Sequence, residues 1–167
     1  MEKDKRVDIV KEAILLEHKG RALYESVSKT AAVEGVRELF DMLVREEENH
    51  IQILTRQYSN LVKGEDFDVS DLDKSGDTVS ATVISDAVVK EIFGAGYEAA
   101  VISAALEFEK NAVKYYSENA ERAESEDEKK LYRWLTKWEQ THMMMLAKLD
   151  NEIKEQIWYD NQFWPLD

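Results

Sequence analysis

Glu47-Glu48-Asn49-His50 and Glu139-Gln140-Thr141-His142 are the two stretches on which the reading of this chain turns. The chain has three histidines, His18, His50 and His142, and the last two each follow a Glu by three residues. Positions i and i+3 share one face of a helix, so each pair can present a carboxylate and an imidazole to a common point. One such pair means little in a chain with 22 Glu among 167 residues. The spacing between the pairs means more, because Glu47 and Glu139 are 92 residues apart and so are His50 and His142. The same shift carries Glu17 onto Glu109 and Tyr24 onto Tyr116, and it carries Leu39, Leu43 and Leu54 onto Leu131, Leu135 and Leu146. Most other positions do not match, so the repeat survives along one interior stripe.

Working outward, that stripe has helical period in four segments. Residues 4–30 carry Val10, Ile14, Glu17, Tyr24 and Val27, and residues 33–62 carry Val36, Phe40, Leu43, Glu47, His50, Leu54 and Leu61. Residues 97–123 carry Ile102, Ala105, Glu109, Ala112 and Tyr116. Residues 126–158 carry Tyr132, Leu135, Glu139, His142, Leu146, Leu149 and Ile153, with Ser125 and Glu128 as a capping box at the start. Breakers are scarce: six Gly and one Pro, and neither type between Tyr97 and Trp164. Short connections near Ala31 and Glu124 predict two antiparallel hairpins. Residues 63–96 differ in composition, with Gly64 to Ser85 rich in Asp, Ser, Thr and Gly, and Asp86 to Phe93 able to form a short helix. The expected fold is all-α, one domain over residues 1–167, an antiparallel four-helix bundle of two hairpins joined by a long crossover.

Composition removes several functions. There is no Cys, which excludes disulfides, thiolate metal sites and thiol redox chemistry within this chain. A formal charge of −13 argues against nucleic acid or an anionic membrane as partner. The longest uncharged apolar run near the middle, Ala99 to Leu106, is too short to span a bilayer, and the start Met-Glu-Lys-Asp-Lys-Arg is not a signal peptide. A cytoplasmic location is expected.

Residues equidistant from a hairpin turn lie at one height. Glu17 and Glu47 are equidistant from residue 32, and Glu109 and Glu139 from residue 124, each in a predicted turn. A pseudo-twofold between the hairpins would gather four carboxylates and two imidazoles around one point. Such a donor set suits two divalent first-row metals, with iron or manganese favoured over zinc by the oxygen majority. Four carboxylates also balance two such ions, whereas four uncompensated buried charges would be very costly. Tyr24 and Tyr116 stand seven residues beyond Glu17 and Glu109, about 10 Å along the helix, and helical side chains lean back toward the N-terminus.

The pattern Glu-x6-Tyr, Glu-x-x-His, Glu-x6-Tyr, Glu-x-x-His resembles the ferritin-like di-iron carboxylate family, and within it the rubrerythrin-type domains, over residues 4–157. The resemblance implies a ferritin-like bundle with two iron ions, manganese or zinc being possible substitutes. It implies that Glu47 and Glu139 bridge the metals, that Glu17 and Glu109 are terminal ligands, and that His50 and His142 each cap one metal. Tyr24 and Tyr116 would hydrogen-bond ligand carboxylates. It further implies an oxidoreductase that reacts with O2 or peroxide, draws on an external electron donor and forms a homodimer.

Two departures bear on activity. Peroxide-reducing rubrerythrins usually carry a rubredoxin-type module with four cysteines, and an extra carboxylate one turn after the third-helix Glu. This chain has no Cys, and Ala112 and Val113 stand where that carboxylate would be. Glu107 is nearby, but two residues of helix turn it from the face of Glu109. An iron-sequestering protein and a structural bundle with a decayed site are therefore the competing functions. His18 reads as surface, the run Arg45-Glu46-Glu47-Glu48 looks like ordinary surface charge until the 92-residue repeat singles out Glu47, and Met143, Met144 and Met145 read as core or interface packing. Trp134 and Trp138 suit a subunit contact, and the tail with Trp158, Tyr159, Phe163 and Trp164 should fold onto the bundle or a second subunit.

Overall fold

Three helix ends carry a clear local signal. Asp4 opens α1 (Lys5–Thr30), its carboxylate accepting the Arg6 backbone N–H at 2.9 Å and thereby satisfying one of the free donors of the first turn. After three residues the chain enters α2 (Glu34–Val62). Gly64, at φ 80°, closes α2 in a left-handed turn that glycine adopts without a Cβ clash. The Glu65 N–H donates to Asn60 O and the Gly64 N–H to Leu61 O, which together form a Schellman motif. In the computed structural model, which describes residues 4–72 and 96–160, two further helices follow, α3 (Gly96–Arg122) and α4 (Glu126–Asp160). At the start of α4 the Ser125 hydroxyl accepts the Glu128 N–H at 3.1 Å, while the Glu128 carboxylate accepts the Glu124 N–H at 3.3 Å. The reciprocal half of the capping box thus lands one residue early. These bounds differ by no more than two residues from those expected of the sequence.

The described residues form an all-α, ferritin-like four-helix bundle without strands. α1 packs on α2 and α3 on α4, as two hairpins. The interior divides into two apolar clusters. One joins Tyr24 and Val27 of α1 to Val36, Phe40 and Leu43 of α2, Ile102 and Ala105 of α3, and Leu146, Leu149 and Ile153 of α4. The other joins Val10 and Ala13 to Leu54 and Leu61, Tyr116 and Ala120, and Leu131, Tyr132 and Leu135. The late half of α1 therefore lies level with the early half of α3, so these two helices are antiparallel as well. Contacts at the ends agree. The Glu98 carboxylate accepts the Ala32 N–H at 2.6 Å beside the first hairpin turn, and the Tyr115 hydroxyl donates to Ile9 O at 3.0 Å at the far end.

It follows that α2 ends and α3 begins at opposite ends of the bundle, which is why the two hairpins require a long connection. Its first residues are clamped to α2. The buried Gln57 side chain accepts the Asp68 N–H at 2.8 Å and donates to Asp68 O at 2.7 Å, and Phe67 and Leu72 enter the second cluster. The proposed short helix at Asp86 to Phe93 and the aromatic tail lie outside the described residues or side chains. Among the described residues no helix is long and apolar enough to cross a membrane.

The expected interior stripe is buried apart from Ile14, which is half-buried. Gly20, Leu39, Gln57, Glu98, Leu131 and Asp150 are buried in addition. Because Ser125 supplies an otherwise missing acceptor at the α4 start, Ser125→Ala should lower stability by about 0.5–2 kcal/mol in chemical denaturation.

Candidate metal centre

Between the two apolar clusters lies a polar layer one side chain deep. Every helix contributes to it through the residue that its periodicity turns inward at mid-length: Glu17 from α1, Glu47 and His50 from α2, Glu109 from α3, Glu139 and His142 from α4. All six are buried. Two groups of four have ligand-type atoms within 4.8 Å of one another. The first comprises Glu17, Glu47, His50 and Glu139, and the second Glu47, Glu109, Glu139 and His142. Glu47 and Glu139 belong to both.

The tyrosines tie the hairpins together. Tyr24 on α1 donates to Glu109 Oε1 on α3 at 2.5 Å, and Tyr116 on α3 donates to Glu17 Oε1 on α1. Burial and the adjacent carboxylate charges raise both phenols well above their ordinary pKa, so they remain protonated donors. Each imidazole turns Nδ1 to the layer. His50 Nδ1 lies 3.1 Å from Glu17 Oε2 and 3.0 Å from Glu139 Oε1, and His142 Nδ1 lies 3.3 Å from Glu139 Oε2 and 3.4 Å from Glu109 Oε1. Both rings approach Glu139 more closely than Glu47, which stands 4.0 and 3.9 Å away.

Protons follow that asymmetry. Burial, then the charges of Glu17 and Glu139, pushes Glu47 well above the carboxylate range. Burial and Glu139 push Glu109 up to about 8 although His142 pulls it down. Burial alone would raise Glu139 too, but the imidazolium charges of His50 and His142 hold it below the usual range. Burial disfavours charge on the imidazoles, yet the facing carboxylates outweigh it, raising His50 to about 10 and His142 well above the ordinary value. In the metal-free cluster, protons thus offset part of the carboxylate charge.

Three buried carboxylate oxygens of the layer, Glu47 Oε1, Glu109 Oε2 and Glu139 Oε1, find no hydrogen-bond partner among the described residues. For Glu139 Oε1 this holds despite the 3.0 Å approach of His50 Nδ1, since the contact lacks hydrogen-bond geometry. Orphaned buried polar atoms cost about 1–3 kcal/mol each, and once the protons leave Glu47 and Glu109 a cation is the partner that these oxygens suit. Oxygen donors with two imidazoles fit divalent iron or manganese, and four carboxylates fit two such ions.

Several neighbours were given no part in the site by the sequence pattern. Glu46, assigned there to the solvated surface, instead accepts a hydrogen bond from His142 Nε2, and its side chain is only 14% exposed. The cause is the reach of α2 toward α4, since position 46 borders the interior stripe. Glu48 does face outward, pairing with Arg21. Trp134 and Trp138 are half-buried and edge-on to His50, with ring centroids 5.5 and 5.9 Å away. Gly20 is the close-approach point of α1, because a Cβ there would stand 2.7 Å from Phe108 Cε1 and 3.4 Å from Glu47 Cδ. His18 is exposed, as expected, while Met143 and Met145 pack on the first apolar cluster and Met144 is exposed.

The Rubrerythrin family model matches residues 8–150, from the first turn of α1 to beyond the middle of α4. No curated protein and no solved structure matches the chain.

Two outcomes follow from this geometry. With Glu109 at about 8 when folded against ~4.3 when unfolded, the folded chain holds a proton that the unfolded chain has lost between those values. That stabilisation is complete below ~4.3 and disappears as pH rises through about 8. His50, at about 10 against ~6.5, acts with the same sign in a higher window. Melting temperature in the presence of a chelator should therefore fall by several degrees from pH 5 to pH 9. Glu109→Gln should flatten that decline, which separates it from the general effect of net charge. Gly20→Ala tests the close approach. An open helical site would gain about 1 kcal/mol from alanine, whereas overpacking against Phe108 costs about 1–3 kcal/mol. The unfolding midpoint should fall, and a rise would show that the Phe108 ring moves aside freely.

Proposed function

The chain belongs to the Rubrerythrin family, and from that premise we propose that its polar layer holds two iron ions and that the protein is an oxidoreductase acting on peroxide or dioxygen. The observation that carries this reading is the overlap of the two four-residue groups, since sharing Glu47 and Glu139 is what two bridging carboxylates require. On this reading Glu17 and His50 complete one metal position, and Glu109 and His142 the other. Glu47 and Glu139 span both. Manganese satisfies the same donors, and zinc does so less well.

Two ferrous ions would supply one electron each to an oxidant bound beside them. The protein's own part is to hold the ligands and exclude water. Tyr24 occupies Glu109 Oε1 and leaves Oε2 for ligation, and Tyr116 occupies Glu17 Oε1 and leaves Oε2. The two phenols thereby fix which oxygen of each terminal carboxylate faces the centre. Phe108 packs edge-on to Tyr24 and against Gly20, while Trp134 and Trp138 cover His50, so the layer is walled by rings on both flanks. Loading two divalent ions must expel protons from Glu47, Glu109 and the imidazoles, so affinity rises with pH.

One observation favours iron sequestration as a second reading. Ala112 is buried where an additional third-helix carboxylate would stand, and Glu107 does not replace it, being 68% exposed and paired with Lys110 at 2.6 Å. Peroxide turnover should accordingly be slow beside relatives that carry that carboxylate. Sustained turnover with peroxide and an external reductant supports the enzyme, and uptake without turnover supports sequestration.

Titration of the metal-free chain with Fe²⁺ under argon should end at two ions per chain, with near-ultraviolet ferric absorption developing in air. Glu47→Ala or Glu139→Ala should abolish binding of both ions, whereas His50→Ala or His142→Ala should weaken one ion more than the other. Saturation at one ion, or equal small losses in all four variants, would overturn the dinuclear assignment.

A further inference from the structure

The two halves of the polar layer come from one repeat, and they differ at a position that touches the imidazoles. The 92-residue shift that carries Glu47 onto Glu139 carries Glu46 onto Trp138. On one half, the Glu46 carboxylate accepts the hydrogen bond from His142 Nε2, leaving Nδ1 of the same ring directed at Glu139, Glu109 and Glu47. The indole of Trp138 lies edge-on to both imidazoles, 5.9 Å from His50 and 6.4 Å from His142 between centroids, and Trp134 adds a second indole on the His50 half at 5.5 Å, with no carboxylate in the place of Glu46. The two indoles also touch each other, at 5.8 Å. Indole is a donor and not an acceptor, so Trp138 cannot hold an imidazole N–H as Glu46 does.

We propose that Glu46 is a positioning residue for His142, and that it makes the metal position bounded by Glu47, Glu109, Glu139 and His142 the tighter of the two and the first to fill. Three physical effects act in the same direction. A carboxylate on Nε2–H selects the tautomer whose Nδ1 lone pair faces the ligand cluster. It fixes the ring plane and raises the basicity of the ligating nitrogen. It also adds one more carboxylate beside that half alone. The His50 half has an indole and no carboxylate in the equivalent place, so a divalent ion there loses hydration without an extra anion to replace it. The repeat therefore produces two positions of similar ligand set and unequal affinity.

This inference rests on the polar layer being the metal site, and one experiment separates the two claims. The full metal-free chain is titrated with Co²⁺, followed by visible absorption for ligand geometry and by calorimetry for affinity, in the wild type and in Glu46→Gln, His142→Ala and His50→Ala. Wild type should bind two ions in two resolved steps. His142→Ala should remove the tighter step and His50→Ala the weaker. Glu46→Gln should weaken the tighter step by roughly 10–100-fold, shift its cobalt absorption and leave the weaker step unchanged. Because Glu46 borders solvent, the Gln variant should fold, and its metal-free melting profile verifies that. Two wild-type steps that Glu46→Gln leaves unaltered, or weakens equally, would overturn the role of Glu46 while preserving the site. A loss confined to the step that His50→Ala removes would do the same, as would uptake of both ions in a single step. No cobalt uptake by the wild type would overturn the site and this inference with it.

Discussion

Six ionisable side chains meet at mid-height between two clusters of hydrocarbon and aromatic ring, and the cost of that meeting shapes the rest of the molecule. Four carboxylates in a dry layer repel one another and lose hydration. Only two remedies are within reach, protons or cations. In the metal-free chain burial and neighbouring carboxylates keep protons on Glu47 and Glu109, the same carboxylates keep both imidazoles protonated against burial, and Glu139 stays ionised between the two rings. Three carboxylate oxygens remain unsatisfied even so. A layer so arranged is a poor structural core and a good receptor for two divalent ions, which is why its composition argues for binding rather than for stability.

The apolar clusters above and below make the layer affordable in place. They contain fully buried Leu, Ile, Phe and Tyr side chains from all four helices, so the helices cannot separate at mid-height without exposing both ends. Cross-hairpin bonds add registration. Tyr24 to Glu109, Tyr116 to Glu17, Glu98 to the Ala32 N–H and Tyr115 to Ile9 O all join α1 or its turn to α3. With both ends and the centre of α1 pinned to α3, a slide of one hairpin along the other would break bonds at three heights together.

Internal symmetry is retained only where the layer needs it. Ligand-type residues, the two tyrosines and several leucines obey the 92-residue shift, because each must occupy one face at one height. The flanks are free of that demand and have diverged, with Gly20 opposite Ala112, and Glu46 opposite Trp138. Gly20 leaves room for Phe108 beside Glu47, whereas Ala112 fills its own space with a methyl group. Divergence of this kind gives one fold two unequal halves without disturbing the stripe that assembles it.

By itself the sequence determined the helices, their ends and their inward faces, and it placed the six ionisable residues at one height. Those properties depend on local periodicity, on caps such as Ser125 and Gly64, and on equal distances from a hairpin turn, all of which are readable along one chain. It did not determine what a residue at the margin of a stripe touches. Glu46 follows Arg45 in a run that has the composition of solvated surface, and Trp134 and Trp138 lie off the ligand face. Their contacts with His142 and His50 depend on how closely α2 and α4 approach and on side-chain rotamers. Likewise periodicity turned Tyr24 and Tyr116 inward, but only packing chose Glu109 and Glu17 on the opposite hairpin as their acceptors. A helix face is a property of spacing within one segment, whereas a partner across the interior is a property of two segments and the distance between their axes.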